Sequence, residues 1–199
     1  MKLGRLLLRL AVGGFFFGHG TQKLFGWFGG GGLDGTAQMF EQIGLRPGKA
    51  NAIAAGTAEA GGGALLAAGL ATPLASCALT ATMITAVDTV HLKNGPWVTK
   101  GGYEYNVVLI AAALALVEVG PGALSLDAAR GRERAGTGWM LASLVTGVLG
   151  ALGARMTRAA APATPPAPAP AASANGAVAS PHGDDASPAG EGEQELQSS

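Results

Sequence analysis

Leu6–Phe28 reads LLLRLAVGGFFFGHGTQKLFGWF, and the reading of this stretch decides the fold. As a helix it spans roughly 34 Å, enough to cross a hydrocarbon core about 30 Å thick. Lys2, Arg5 and Arg9 give it a basic start, which also suits a cleaved signal peptide. The apolar run is too long for that, and no A-x-A cleavage site follows it. The expectation is a retained first helix that begins after Arg5 and ends in Gly29–Gly32, where four glycines cannot hold a helix together.

Four more stretches of similar character follow: Ala50–Leu70, Leu74–Leu92, Tyr103–Ala123 and Gly138–Ala154. Composition agrees, since only 13% of the 199 residues are charged, against about 25% in soluble domains. Glycine and alanine supply much of the apolar content, which keeps the mean hydropathy at +0.31. Residues 1–158 hold all 13 Lys and Arg and 8 of the 13 acids, a balance of +5; the remainder holds 5 acids, hence −5. No basic cluster interleaves with aromatics, so nucleic acid is excluded as a partner. Cys77 is the single cysteine, which excludes an internal disulfide, a CxxC redox pair and a thiolate zinc site.

The fold expected is all-α: an integral membrane up-and-down four-helix bundle over residues 1–127, with a polar loop at 128–137. A fifth transmembrane or interfacial helix follows at 138–156, then a disordered Pro/Ala-rich acidic tail at 157–199. Asp34 is placed to cap a short helix through Ile43, with Phe40 and Ile43 at the interface. Pro47 suits the first turn of the second long helix. Thr72–Pro73 leaves the second and third helices only an antiparallel hairpin. Close helix packing is expected along Gly56, Ala60, Gly61, Gly62, Gly63 and Ala67, and at the Gly14/Gly18 pair of the first helix. Lys2, Arg5, Arg9, Arg130, Arg132 and Arg134 on one side stand against Arg46, Lys49, Lys93, Lys100, Arg155 and Arg158 on the other. Because the first helix usually dominates, the N-terminus is assigned to the cytoplasmic side of a multi-pass plasma-membrane protein.

Ionisable residues inside the stretches carry the functional argument, because a charge at mid-membrane depth costs about 2.5–3.5 kcal/mol even on lenient scales. Counted from one common side, His19 and Glu59 lie about 13 Å deep, Lys23 about 8 Å and Asp88 about 6 Å, with His91 and Glu104 near the edge. His19 and Lys23 share a helix face, as do Asp88 and His91. Glu59 is expected to pair with His19 or Lys23, and Asp88 with Lys23. The candidate polar, ligand or proton site is therefore His19, Gln22, Lys23, Glu59, Asp88, His91, Glu104 and Tyr105. Each has a plainer reading: Lys23 can snorkel to the headgroups, His91 and Glu104 can be interfacial, and Glu118 lies toward the opposite end. Trp27, Trp97, Tyr103 and Tyr105 form an aromatic belt in the simplest view. No metal site is assigned, since Asp88 and His91 alone are under-liganded. Haem between His19 and His91 is disfavoured by depths that differ by roughly 10 Å.

The residues resemble the DoxX family of small membrane proteins over positions 3–129. The likeness rests on Gly18-His19-Gly20, Gln22-Lys23-Leu24-Phe25-Gly26-Trp27-Phe28, Leu33-Asp34-Gly35-Thr36 and Ala58-Glu59 with Gly61-Gly62. It continues through Val90-His91-Leu92, Asn94-Gly95, Gly101-Gly102-Tyr103-Glu104-Tyr105, Gly120-Pro121-Gly122 and Leu124-Ser125-Leu126-Asp127. The resemblance implies a four-helix membrane core and an association with membrane oxidoreductase complexes that handle oxidative or thiol stress. It carries over no catalytic residue. Quinone is the cofactor class that fits such a setting, with redox enzymes or other membrane subunits as partners in the lipid bilayer. The chain shows no cysteine cluster for iron–sulfur binding and no flavin motif. Against an accessory redox subunit stands a non-enzymatic scaffold or small-solute or proton transporter, for which a buried polar network serves equally well.

Overall fold

A computed structural model describes residues 3–158, and every regular element among them is helical. The seven α-helices are α1 (Leu3–Phe25), α2 (Gly32–Gln42), α3 (Gly48–Ala68), α4 (Thr72–Ala86), α5 (Glu104–Val119), α6 (Leu126–Ala129) and α7 (Thr137–Met156). A π-helical turn, Val87–His91, and a 3-10 turn, Leu92–Asn94, prolong α4. The tail expected to be disordered lies almost wholly outside the described residues.

Glycine governs how α1 and α3 meet. A side chain at Gly13 would strike the backbone of Gly63 and Ala67 at 2.6 Å, one at Gly20 would strike Ala60, and one at Gly63 would strike Phe17 and Gly13. The expected Gly14/Gly18 pair is not the contact: both glycines face open space, as does Gly61. The packing motif is Gly13 and Gly20, seven residues and about two turns apart, so that one face of α1 repeats. Behind this seam Val12, Phe16, Leu66, Ala75, Leu79, Leu109 and Leu116 form the main core.

The five long helices alternate in direction, as contacts at their ends show. At one end the start of α1 meets the end of α5 (Arg5 to the Val119 carbonyl, 2.7 Å), and Ser143 near the start of α7 donates to the Pro73 carbonyl at the start of α4 (3.1 Å). At the other end Thr157, just after α7, donates to Asn51 in the first turn of α3 (3.2 Å) and accepts at its carbonyl from the Arg46 amide (3.0 Å). The segment expected as a fifth helix packs along α4, where Gly147 clears Thr80 and Gly150 clears Ala81.

Several boundaries differ from expectation for local reasons. α1 stops at Phe25 because Gly26 turns left-handed (φ 74°), and Trp27–Gly29 forms a separate 3-10 turn. Gly31 rather than Asp34 precedes α2; Asp34 sits in its first turn, where a carboxylate complements the helix dipole. Pro47 is the extended residue before α3, not its first helical residue. Phe40 is buried with Leu45 and Ala52 in a small core between α2 and α3 instead of lying at an interface. Two of the described helices, Thr72–Asn94 and Thr137–Met156, are long and apolar enough to cross a membrane by length and composition. The others fall short of that test: α1 carries two arginines and a lysine, α3 is diluted by glycine, and α5 has 16 residues, roughly 24 Å.

Gly63→Val is expected to lower stability by at least about 1–3 kcal/mol, because the obstruction is backbone that cannot repack. Gly18→Ala, at a position open to space, is expected to be neutral or to gain about 0.4–1 kcal/mol. Thermal unfolding of both variants in one detergent checks the contrast; equal losses would contradict the register given above.

Candidate functional site

One turn beyond Gly20, Lys23 lies against Gly56 of α3, and its side chain reaches back to Glu59, the neighbour of Ala60. Lys23 Nζ donates to Glu59 Oε2, with Glu59 only 4% exposed and the lysine side chain 23% exposed. Gly56, one turn along α3, leaves room for Leu24, so the helices stay close where the pair forms. A carboxylate this deeply buried is costly unless paired and hydrogen-bonded, and the ammonium supplies both conditions.

The pair borders a cavity of about 480 Å³ between α1, α2, α3, α4, α5 and α7. Its walls are mostly apolar: Phe16, Met39, Phe40, Ile43, Leu45, Met83 and Leu109, with alanines of α3 and α4. Polar residues on its wall include Lys23 and Glu59, His19, Asn51, His91, Tyr105 and Asn106, with three threonines of the α4 helix and its extension. An apolar chamber of a few hundred Å³ with a handful of convergent polar groups is the usual form of a small-molecule site.

Of the residues expected to form one network, the fold brings His19, Lys23, Glu59, His91 and Tyr105 to this cavity. It does not join them all to each other. His19 is exposed and its Nδ1 meets Gln22 Oε1 at 3.1 Å, not Glu59. Gln22 in turn reaches the Phe28 carbonyl at 3.4 Å. His91 Nδ1 lies 2.8 Å from the Gly101 carbonyl; because a carbonyl only accepts, Nδ1 carries the proton and neutral His91 keeps Nε2 as an acceptor. Glu104 accepts from the Val98 amide at 2.8 Å and serves the turn before α5.

Asp88 corrects an expectation outright. It pairs with Arg155 and Arg158 of the α7 end, at 3.4 and 3.3 Å, and not with Lys23. The cause is the π-helical turn, which widens the helix over Val87–His91 and parts Asp88 from the face that His91 occupies. The hydroxyls of Thr82, Thr85 and Thr89 donate to carbonyls three or four residues back on their own helix. Their polarity is thereby satisfied internally, leaving methyl groups as the surface the cavity sees.

Two buried charges escaped the sequence reading. Arg9, read as part of the basic start, is 2% exposed and donates to the carbonyls of Ala67 (2.9 Å), Pro121 and Leu124. Asp127 accepts from the Ala71 and Thr72 amides at 2.9 and 3.2 Å, capping α4 from more than fifty residues away. An arginine inside Leu6–Phe28 was a visible sign in the first case. Asp127 gave only its place in the Leu124-Ser125-Leu126-Asp127 motif, because its partners are two amides and the Thr72 hydroxyl.

The family model described as DoxX matches residues 4–92, which include His19, Lys23, Glu59 and His91. Over 126 residues the chain is 38% identical to a Bacillus subtilis (strain 168) protein named "Putative oxidoreductase CatD", covering 63% of this chain and 86% of that one. No solved structure matches.

Removing one partner of the pair tests its energetics. Glu59→Gln is expected to cost about 3 kcal/mol, toward the low end for a buried ion pair because Lys23 keeps some contact with solvent. The double replacement Lys23→Met with Glu59→Leu is expected to recover most of that loss. A denaturation double-mutant cycle measures both, and additive losses would show the pair to be uncoupled.

Proposed function

The chain belongs to the DoxX family, and from that premise we propose that it is a membrane subunit accessory to a redox system, holding a quinone-class carrier in the cavity beside Lys23 and Glu59. The observation that carries this reading is one apolar chamber with its only buried ion pair on the wall. α1, α3, α4 and α5 form the membrane bundle in this view and α7 a fifth span, with the N-terminus cytoplasmic in the plasma membrane. Support comes from the outward faces of α1, α5 and α7, where Leu7, Phe15, Val107, Val108, Leu141, Val145, Leu149 and Leu152 are exposed. Apolar surface that extensive is foreign to a protein bathed in water.

A quinone accepts two electrons and two protons on reduction. This chain's part is to bind the ring among apolar side chains and to manage protons at the polar wall. Lys23 Nζ is a donor suited to a carbonyl oxygen, and Glu59 accepts from it and fixes its direction. His91 Nε2 and the Tyr105 hydroxyl offer further positions where a proton is held or passed. Electrons come from a partner enzyme, consistent with a relative whose name includes the word oxidoreductase.

Purification in mild detergent, followed by extraction and quantification of bound quinone, tests the proposal. Wild-type protein is expected to retain quinone in near-stoichiometric amount. Ala58→Phe, which fills the cavity from α3 without touching the pair, is expected to lose at least about nine-tenths of it while keeping its helical spectrum. Quinone-free wild-type protein, or retention unchanged by the filled cavity, would refute the site. Solute flux into liposomes without redox coupling would favour the transporter instead.

A further inference from the structure

The end of the bundle opposite the cavity holds an excess of positive charge. Among the described residues no carboxylate pairs within 4.0 Å with Arg5 or Arg9. Arg9 is surrounded by carbonyls. Arg5 donates through Nη1 to the Val119 carbonyl at 2.7 Å, while its Nε is buried and has no hydrogen-bond partner. Gly122 flanks that Nε: its φ of 87° suits glycine, and a Cβ there would stand 3.4 Å from the nitrogen.

Backbone dipoles offset only part of this charge. The carbonyls that receive the two guanidiniums include ends of α3 and α5, each worth about half a negative charge, whereas the start of α1 adds about half a positive one. The nearest buried acid, Asp127, is committed to the amides of Ala71 and Thr72. Glu133 borders the neighbouring cavity, but Arg130, Arg132 and Arg134 share its loop. On this count about one and a half positive charges are left without a counter-ion, and even a partly buried charge is unfavourable when unpaired.

Space for a counter-ion is present. A cavity of about 230 Å³ is bounded by Arg5, Arg9, Leu3, Leu6 and the turn from Pro121 to Leu124. A second, of about 550 Å³, adjoins it across Arg5 and Gly122. We propose that this pocket binds the phosphate of an anionic lipid headgroup. The guanidinium of Arg5 donates to phosphate oxygens in the charge-assisted geometry that arginine favours, and Leu3 and Leu6 face the first acyl carbons. Basic pockets at the ends of membrane helices recognise anionic lipids on this principle. Free inorganic phosphate shares the chemistry, and the test separates the two sources. The site does not depend on the redox reading of the opposite end.

The experiment uses the full chain in mild detergent, with lipid retention read by native mass spectrometry and stability by thermal unfolding. Wild-type protein is expected to retain phosphatidylglycerol at least about tenfold over phosphatidylcholine, with the preference falling as salt rises. Arg5→Gln is expected to remove most of that preference. Ala123→Glu places a carboxylate on the cavity wall; it is expected to abolish the preference while matching or exceeding wild-type stability in phosphatidylcholine. That second variant carries the test if Arg5→Gln does not fold. Millimolar inorganic phosphate that stabilises wild type but not Ala123→Glu would support the same site with a free anion as its source. Equal retention of the two lipids, or a preference that survives in a folded variant of either kind, would overturn the proposal.

Discussion

The close approach of α1 and α3 is the constraint on which the rest of the structure depends. Gly13 opposes Gly63 and Ala67, Gly20 opposes Ala60, and Leu24 fills the space left by Gly56. Backbones held this near leave no freedom of register, because any slip drives a Cβ into main chain. That fixed register delivers Lys23 to Glu59 and lets a carboxylate that is almost wholly buried keep a partner. α1 ends at Phe25, and the chain turns at Gly26 and continues into α2, whose Met39 and Phe40 join the cavity wall.

Two ends of one bundle thus hold their charges differently. At the cavity end, opposite charges on neighbouring helices meet directly, as Lys23 with Glu59 and Asp88 with Arg155 and Arg158. At the far end, charges meet backbone: Arg9 takes carbonyls from two segments, and Asp127 takes amides at the start of α4. Such contacts tie helix ends together where the orphan groups of each helix need partners. They hold the hairpin of α3 and α4 against the turn after α5, which in turn keeps α5 on the cavity wall.

α7 gives the site part of its wall. Gly150 and Ala154 border the chamber, and the arginines that follow pair with Asp88. The matched DoxX segment, residues 4–92, thereby supplies the ion pair, while later helices close the space around it. A ligand admitted to this chamber meets mostly apolar side chains, with the lysine's ammonium held by Glu59 at the wall.

Sequence alone determined the helical class, the placement of most helices within a few residues, and the pairing of Lys23 with Glu59 as one of two alternatives. Those readings rest on local composition and on spacing along single helices, which sequence reports directly. The tertiary structure decided which glycines touch, that Asp88 turns to α7, and that Arg9 and Asp127 are buried. Each of these depends on rotation about a helix axis or on a partner more than fifty residues distant. One shifted residue turns a helix face by about 100°, so Gly13 and Gly20 could replace Gly14 and Gly18 with no trace in composition. The tie between Asp127 and the α4 amides lay beyond reach for a related reason: backbone donors are the same at every residue, and only the folded chain selects which two are left for it.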